Sequence, residues 1–209
     1  MSEVSLCKRR KIVSMDSIAS APLAERIAKA PRRLTVYEYH ELVNVGLLHE
    51  DDRVELIGGR LVAMEPIGSR HFSVVTELHR LLVRSVGERA RVGVDAPIEL
   101  SDDNEPQPDL ALLRPRADRY FKSLPRAADV LLLIEVADSS LRYDRTEKMR
   151  LYAKHGIPEY WVVDVELRRL TVFLDPGEDG YRTEKDLDEG VIRAALVPEV
   201  EIRLQDLFI

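Results

Sequence analysis

The chain has 209 residues, 45% hydrophobic and 6% aromatic, with a net charge of −6, a balance that suits one soluble domain plus some peripheral chain. No apolar stretch approaches the roughly 20 residues needed to cross a bilayer, and the first residues lack a signal-peptide apolar centre, so the expected location is the cytoplasm. Cys7 is the only cysteine, which excludes an internal disulfide and a thiolate zinc cluster.

Residues 1–33 hold eight Lys/Arg against three Asp/Glu, and residues 34–209 hold 23 against 34. The first segment, which carries Lys8-Arg9-Arg10-Lys11, reads as a flexible basic tail, and the rest as one acidic folded domain. An acidic domain lacks the broad basic footprint of tight, unaided nucleic-acid binders.

Leu34 to Gly46 reads as an amphipathic helix with Thr35 near its start and Gly46 as its stop. Arg53 to Ile57 and Arg60 to Met64 read as strands joined at Gly58-Gly59, a pair suited to the positive φ angles of a tight hairpin. Ser69 to Val86 is predicted as a helix: Val75, Leu78 and Leu82 form a stripe, Val74, Leu81 and Val86 flank it, and His71 shares it at the helix start. Strands are expected at Arg91 to Asp95, Pro97 to Leu100, Asp109 to Leu113, Val130 to Ala137, Tyr160 to Val165 and Arg169 to Leu174. Asp102, Asp103 and Glu105 read as a solvated acidic turn. A helix is expected from Arg145 to His155, capped by Asp144 with Glu147 three residues on and ended by Gly156 and Pro158. Trp161 reads as core, and His155 as a favourable charge at a helix C-terminus. The succession predicts an α/β (α+β) fold, a mixed sheet flanked by helices.

Glu135 stands in the most apolar run of the chain, Asp129 to Ala137, which reads as a strand buried on both faces. A carboxylate is costly there unless protonated, paired or bound to a metal. Asp109 has a similar setting at Pro108-Asp109-Leu110-Ala111-Leu112-Leu113. Two acids on apolar strands, followed by a helix bearing Lys148, suggest a divalent-metal site. A zincin motif, a P-loop, a dinucleotide glycine fingerprint and a nucleophile elbow are all missing.

Glu55-Leu56-Ile57-Gly58-Gly59, His71, Pro108-Asp109, Ile134 to Ser140, Asp144 with Lys148, Tyr152-Ala153 and Gly156 to Asp164 resemble the Uma-two family of restriction endonuclease-like proteins, in the PD-(D/E)XK nuclease superfamily. The resemblance runs from about Leu34 to Phe208. It implies a restriction-endonuclease-like sheet with a helix on each side, and a Mg²⁺- or Mn²⁺-dependent nuclease acting on phosphodiester bonds, first of all in DNA. Asp109 and Glu135 would be the metal ligands, with Lys148, Glu55 and His71 completing the catalytic set. In the superfamily a lysine follows the glutamate by two residues, where this chain has Ala137; Lys148 resembles a lysine relocated to the next helix. Two alternatives stay open. One is a weak or inactive nuclease-like fold with a binding or regulatory role, and the other is a hydrolase for another phosphodiester. Nucleic acid is the implied partner, a membrane is not, and a homodimer is left open.

Overall fold

The structure, a computed structural model, describes residues 33–49 and 51–208. The expectation of a basic tail over residues 1–33 falls outside these, apart from Arg33.

Helix α1 (Val36–Asn44) starts where Thr35 and Glu38 close a capping box, each side chain accepting from the other's backbone N–H. It packs Tyr39 on the hairpin of β1 (Val54–Ile57) and β2 (Arg60–Ala63), beside Leu34, Leu48, Val54, Leu56 and Leu61. The hairpin turn places Gly58 at φ 56° and Gly59 at φ 71°, and a Cβ on Gly59 would lie 2.7 Å from the Arg33 Cβ. Positive φ at both central residues is what a two-residue turn of matching twist demands.

Helix α2 (Ser69–Val86) buries Val74, Leu78, Leu82 and Val86 against one face of a six-stranded sheet ordered β3-β4-β5-β6-β7-β8. These strands are β3 (Arg91–Val94), β4 (Leu110–Leu113), β5 (Val130–Ala137), β6 (Glu159–Asp164), β7 (Arg169–Gly177) and β8 (Gly180–Leu187). Only the β5–β6 pair is parallel. Leu132, Ile134 and Val136 of β5 join the α2 side, while Leu133 and Ala137 join Tyr152, Ile157, Tyr160 and Phe173 on the other. Every residue of β5 is buried, so its sequence is a continuous apolar run in which Glu135 alone is charged.

Between β5 and β6 run α3 (Leu141–Tyr143), a π-helical stretch (Asp144–Lys148) and α4 (Met149–Lys154). The helix therefore starts before Asp144, which corrects its reading as a cap: the carboxylate turns inward instead, and Ser140 Oγ donates to it at 2.5 Å. His155 closes α4, its Nδ1 2.9 Å from the Leu151 carbonyl.

Pro97 to Leu100 is not a strand. Glu99 makes a single bridge to Arg126, and Ile98 and Leu100 bond back to Pro106 and Asn104; Pro97 has no N–H to give a ladder. The acidic turn is not simply solvated either. Glu105 is buried beside His40, its backbone pairs with Leu56, and Asp103 and Asn104 accept from Gly59 and Gly58, pinning the hairpin to the body. Three strands were not anticipated: β8, β9 (Val191–Arg193) and β10 (Glu201–Arg203).

Candidate active site

β5 delivers Glu135 to the face covered by the helical segment, where the carboxylate is 3% exposed. Lys148 Nζ lies 3.0 Å from Glu135 Oε1 and 3.2 Å from Glu55 Oε2, and the Tyr152 hydroxyl donates to Glu135 Oε1 at 2.9 Å. Asp144, Lys148 and Tyr152 follow at four-residue spacing, and all three are buried. The stripe runs from the π-helical stretch into α4.

The antiparallel register Leu110↔Ile134 sets Asp109 across from Glu135. Asp109 Oδ2 accepts from the Val136 N–H at 2.7 Å, and its Oδ1 lies 3.0 Å from His71 Nε2 in the first turn of α2. Glu55, on β1, accepts from the Gln107 N–H at 3.2 Å. Four separate elements and one loop thus converge on one centre. Asp109, Glu135, Lys148, Glu55 and His71, all singled out in the sequence, line one cleft of about 580 Å³.

Burial pushes the Glu135 carboxyl well above the usual range; Lys148 opposes this, while Asp109, Asp144 and Glu55 add to it. Burial alone would lower the Lys148 pKa, but the facing carboxylates of Glu135, Glu55 and Asp144 win and hold the ammonium charged. His71 shows the same contest: burial lowers its pKa, and the hydrogen bond and charge of Asp109 raise it further than burial depresses it. Burial lifts Asp144 to about 6 against the pull of Lys148 and Ser140, and Tyr143 to about 12.

A family model described as "Putative restriction endonuclease", Uma2, matches residues 36–205. The chain belongs to the Uma2 family. Among solved structures, this Uma2 chain is similar to a "putative nuclease belonging to DUF820" from Anabaena variabilis ATCC 29413. The TM-score is 0.65 at 17% sequence identity, and the match covers 84% of this chain and 97% of the other. At that identity the likeness speaks for the fold. No curated protein matches the chain.

The donors of the Uma2 cleft suit a hard cation. Glu55, Asp109, Glu135 and Asp144 line it together with Lys148, His71, Arg53 and Arg142, and carboxylate oxygen is the donor Mg²⁺ and Mn²⁺ prefer. Among the described residues no group of three or more His, Cys, Asp or Glu side chains is spaced as a metal cage. Mg²⁺ does not ask for one, since it keeps several waters and is held by one or two carboxylates. Asp109 and Glu135 fit that pattern. Among the described residues no helix is long and apolar enough to cross a membrane.

Sequence reasoning assigned no part in the site to Tyr152 and read Asp144 as a cap. The signal was present, because both stand four residues from Lys148, but the approach of Asp144 to Glu147 imitates a capping box.

Proposed function

We propose that this Uma2 protein is a divalent-metal-dependent nuclease that hydrolyses phosphodiester bonds, with DNA as its substrate. The observation that carries the reading is the position of Lys148: from a helix after β5, its ammonium reaches 3.0 Å from Glu135, beside Asp109 in the same cleft. It supplies the cation that Ala137 does not.

The chemistry supplied at Asp109 and Glu135 by Mg²⁺ or Mn²⁺ is polarisation of a phosphoryl oxygen and acidification of a water. Lys148 orients the attacking water and offsets the charge that builds on the phosphate. Tyr152 fixes Glu135 by its hydrogen bond, and His71 does the same for Asp109. Asp144, near 6, is placed in the range of a general base at neutral pH. The water oxygen bonds to phosphorus, one of its protons passes to Asp144, and the second ends on the new phosphate or in solvent. The bond to the leaving oxygen breaks with its electron pair, and that oxygen takes a proton from solvent.

A second reading, a nuclease-like fold that binds without cleaving, is favoured by the double ion pair of Lys148 with Glu135 and Glu55, which restrains the ammonium. The test incubates the protein with supercoiled DNA, single-stranded DNA and RNA, with Mg²⁺, Mn²⁺ or chelator. The expected result is cleavage that chelator and Asp109→Asn both abolish. Mn²⁺ should also raise the Tm of the wild type and not that of an Asp109→Asn, Glu135→Gln double variant. No cleavage of any substrate would leave the binding reading in its place.

A further inference from the structure

Beyond the carboxylate centre, a second cavity of about 300 Å³ opens between α1 and the β1–β2 hairpin. Arg53, Met64, Ile67 and Gln107 line both spaces, so the two adjoin. The second is lined by Tyr39, Val43, Leu48 and Val54 together with the polar side chains of His49, Asp52, Asp95 and Gln107. The Tyr39 ring is fixed there by its hydroxyl, which donates to the Val54 carbonyl at 3.2 Å. Gln107 is shared with the cleft, and Asp95 belongs to the second space alone.

Arg53 stands at the junction. Its Nη1 donates to the Glu65 carbonyl at 3.2 Å, which holds the side chain across the end of the hairpin, and its charge acts on His71 of one space and Asp95 of the other. Arg70 is spent on Asp138 and Arg145 on Glu184, whereas Arg142, the other arginine of the cleft lining, makes no ion pair among the described residues. Among the described residues no ion pair ties Arg53. Beside it Ile67 leaves 48% of its surface exposed, an apolar side chain at the mouth of an acidic cleft.

We propose that Arg53 is a substrate-positioning residue that grips the phosphate next to the one being cleaved, and that the second cavity takes the attached base, unpaired. The inference rests on the nuclease reading and narrows its substrate to single-stranded or locally unpaired nucleic acid. A guanidinium without an ion pair between two adjoining spaces is suited to a phosphate oxygen. A base has apolar faces and a polar edge, which a lining of apolar side chains mixed with hydrogen-bonding ones can meet, the Tyr39 ring among them, and single-strand sites commonly combine an aromatic ring with a cation. A paired base cannot enter, since its edge is occupied and its partner strand blocks the mouth.

The test is equilibrium binding to the full chain in chelator, read by fluorescence anisotropy with labelled oligonucleotides. The wild type should bind a single strand at least ~10-fold more tightly than the same sequence in a blunt duplex, and should lose that preference with a strand of abasic sugars. Arg53→Gln should weaken single-strand binding ~10-fold and lower the salt slope by about 0.7, the share of one phosphate. Val43→Phe, which fills the cavity, should weaken binding of the intact strand and leave the abasic strand unaffected. Equal wild-type affinity for single strand and duplex, or no binding of either, overturns the proposal; so does Arg53→Gln with unchanged affinity and slope, or Val43→Phe weakening both strands alike. The expected pattern without any hydrolysis would reject the nuclease reading and keep the subsite. Hydrolysis with the pattern absent would do the reverse.

Discussion

Lys148 is a single buried cation facing two carboxylates, and that imbalance governs the centre. Burying an ammonium is costly, and here the cost is met by Glu135 and Glu55 at 3.0 and 3.2 Å. Lys148→Met keeps the aliphatic stem and the helix preference but leaves both carboxylates without their counter-charge. Removing one partner of a buried pair costs on the order of 3 kcal/mol, so urea unfolding at neutral pH should show a loss of that size in a protein that still folds. Metal-dependent cleavage should fall ~10²-fold or more, the loss expected when one transition-state donor goes. Cleavage by this variant at the wild-type rate would exclude Lys148 from the chemistry.

At the scale of elements, β6 carries a buried acid, Glu159, outside the cleft lining. Glu159 accepts from the Trp161 indole N–H at 2.7 Å and from the Ala195 N–H at 2.7 Å, tying the sheet to the segment between β9 and β10. Burial raises its pKa, and the two donors offset this only in part. A carboxyl raised in the folded state favours folding most below its unfolded value, about 4.3, and that contribution is lost as pH climbs through the folded value. Glu159→Gln cannot ionise. Its stability relative to the wild type should therefore rise from about pH 4 upward and level off above the raised pKa; urea unfolding across that range with a constant difference between the two proteins would contradict the assignment.

The elements that were legible in the sequence are those whose burial is simple. β5 is buried on both faces and reads as an unbroken apolar run, α2 shows its stripe, and Gly58-Gly59 announces the hairpin. β8 was illegible because an edge strand carrying Arg182, Glu184, Lys185 and Asp186 has the charge that edges use against further pairing, and so lacks an apolar period. The π turn was illegible for another reason: no local composition distinguishes it from an α-helix, and the Asp144–Glu147 spacing points to a start that tertiary packing overrides. Glu135 and Asp109 could be named from the sequence because each is an acid in an apolar strand, whereas Lys148, Glu55 and His71 were named through the resemblance to the Uma-two family. Their distances depend on the register of β4 with β5 and on the packing of three helical segments, which no single stretch of chain encodes.

For the molecule as a whole, charge is the unresolved term in recognising a polyanion. Residues 34–209 carry 23 basic against 34 acidic residues, and the cleft itself is rich in carboxylates, so on the proposed nuclease reading long-range attraction to nucleic acid would have to come from elsewhere in the chain. Residues 1–33, with eight Lys/Arg against three Asp/Glu, would be the counterweight on that reading. Electrostatic contacts of this kind add affinity without sequence preference and release counterions, each phosphate contact steepening the salt dependence by about 0.7–0.9 in log units. Deleting residues 1–33 should therefore weaken nucleic-acid binding and flatten its dependence on salt. The rate of a single turnover at saturating substrate should stay the same, because the Asp109, Glu135 and Lys148 centre lies wholly in the remaining chain. Unchanged affinity and salt slope after the deletion would deny the segment this role, and a slower single turnover at saturation would place it in the chemistry instead.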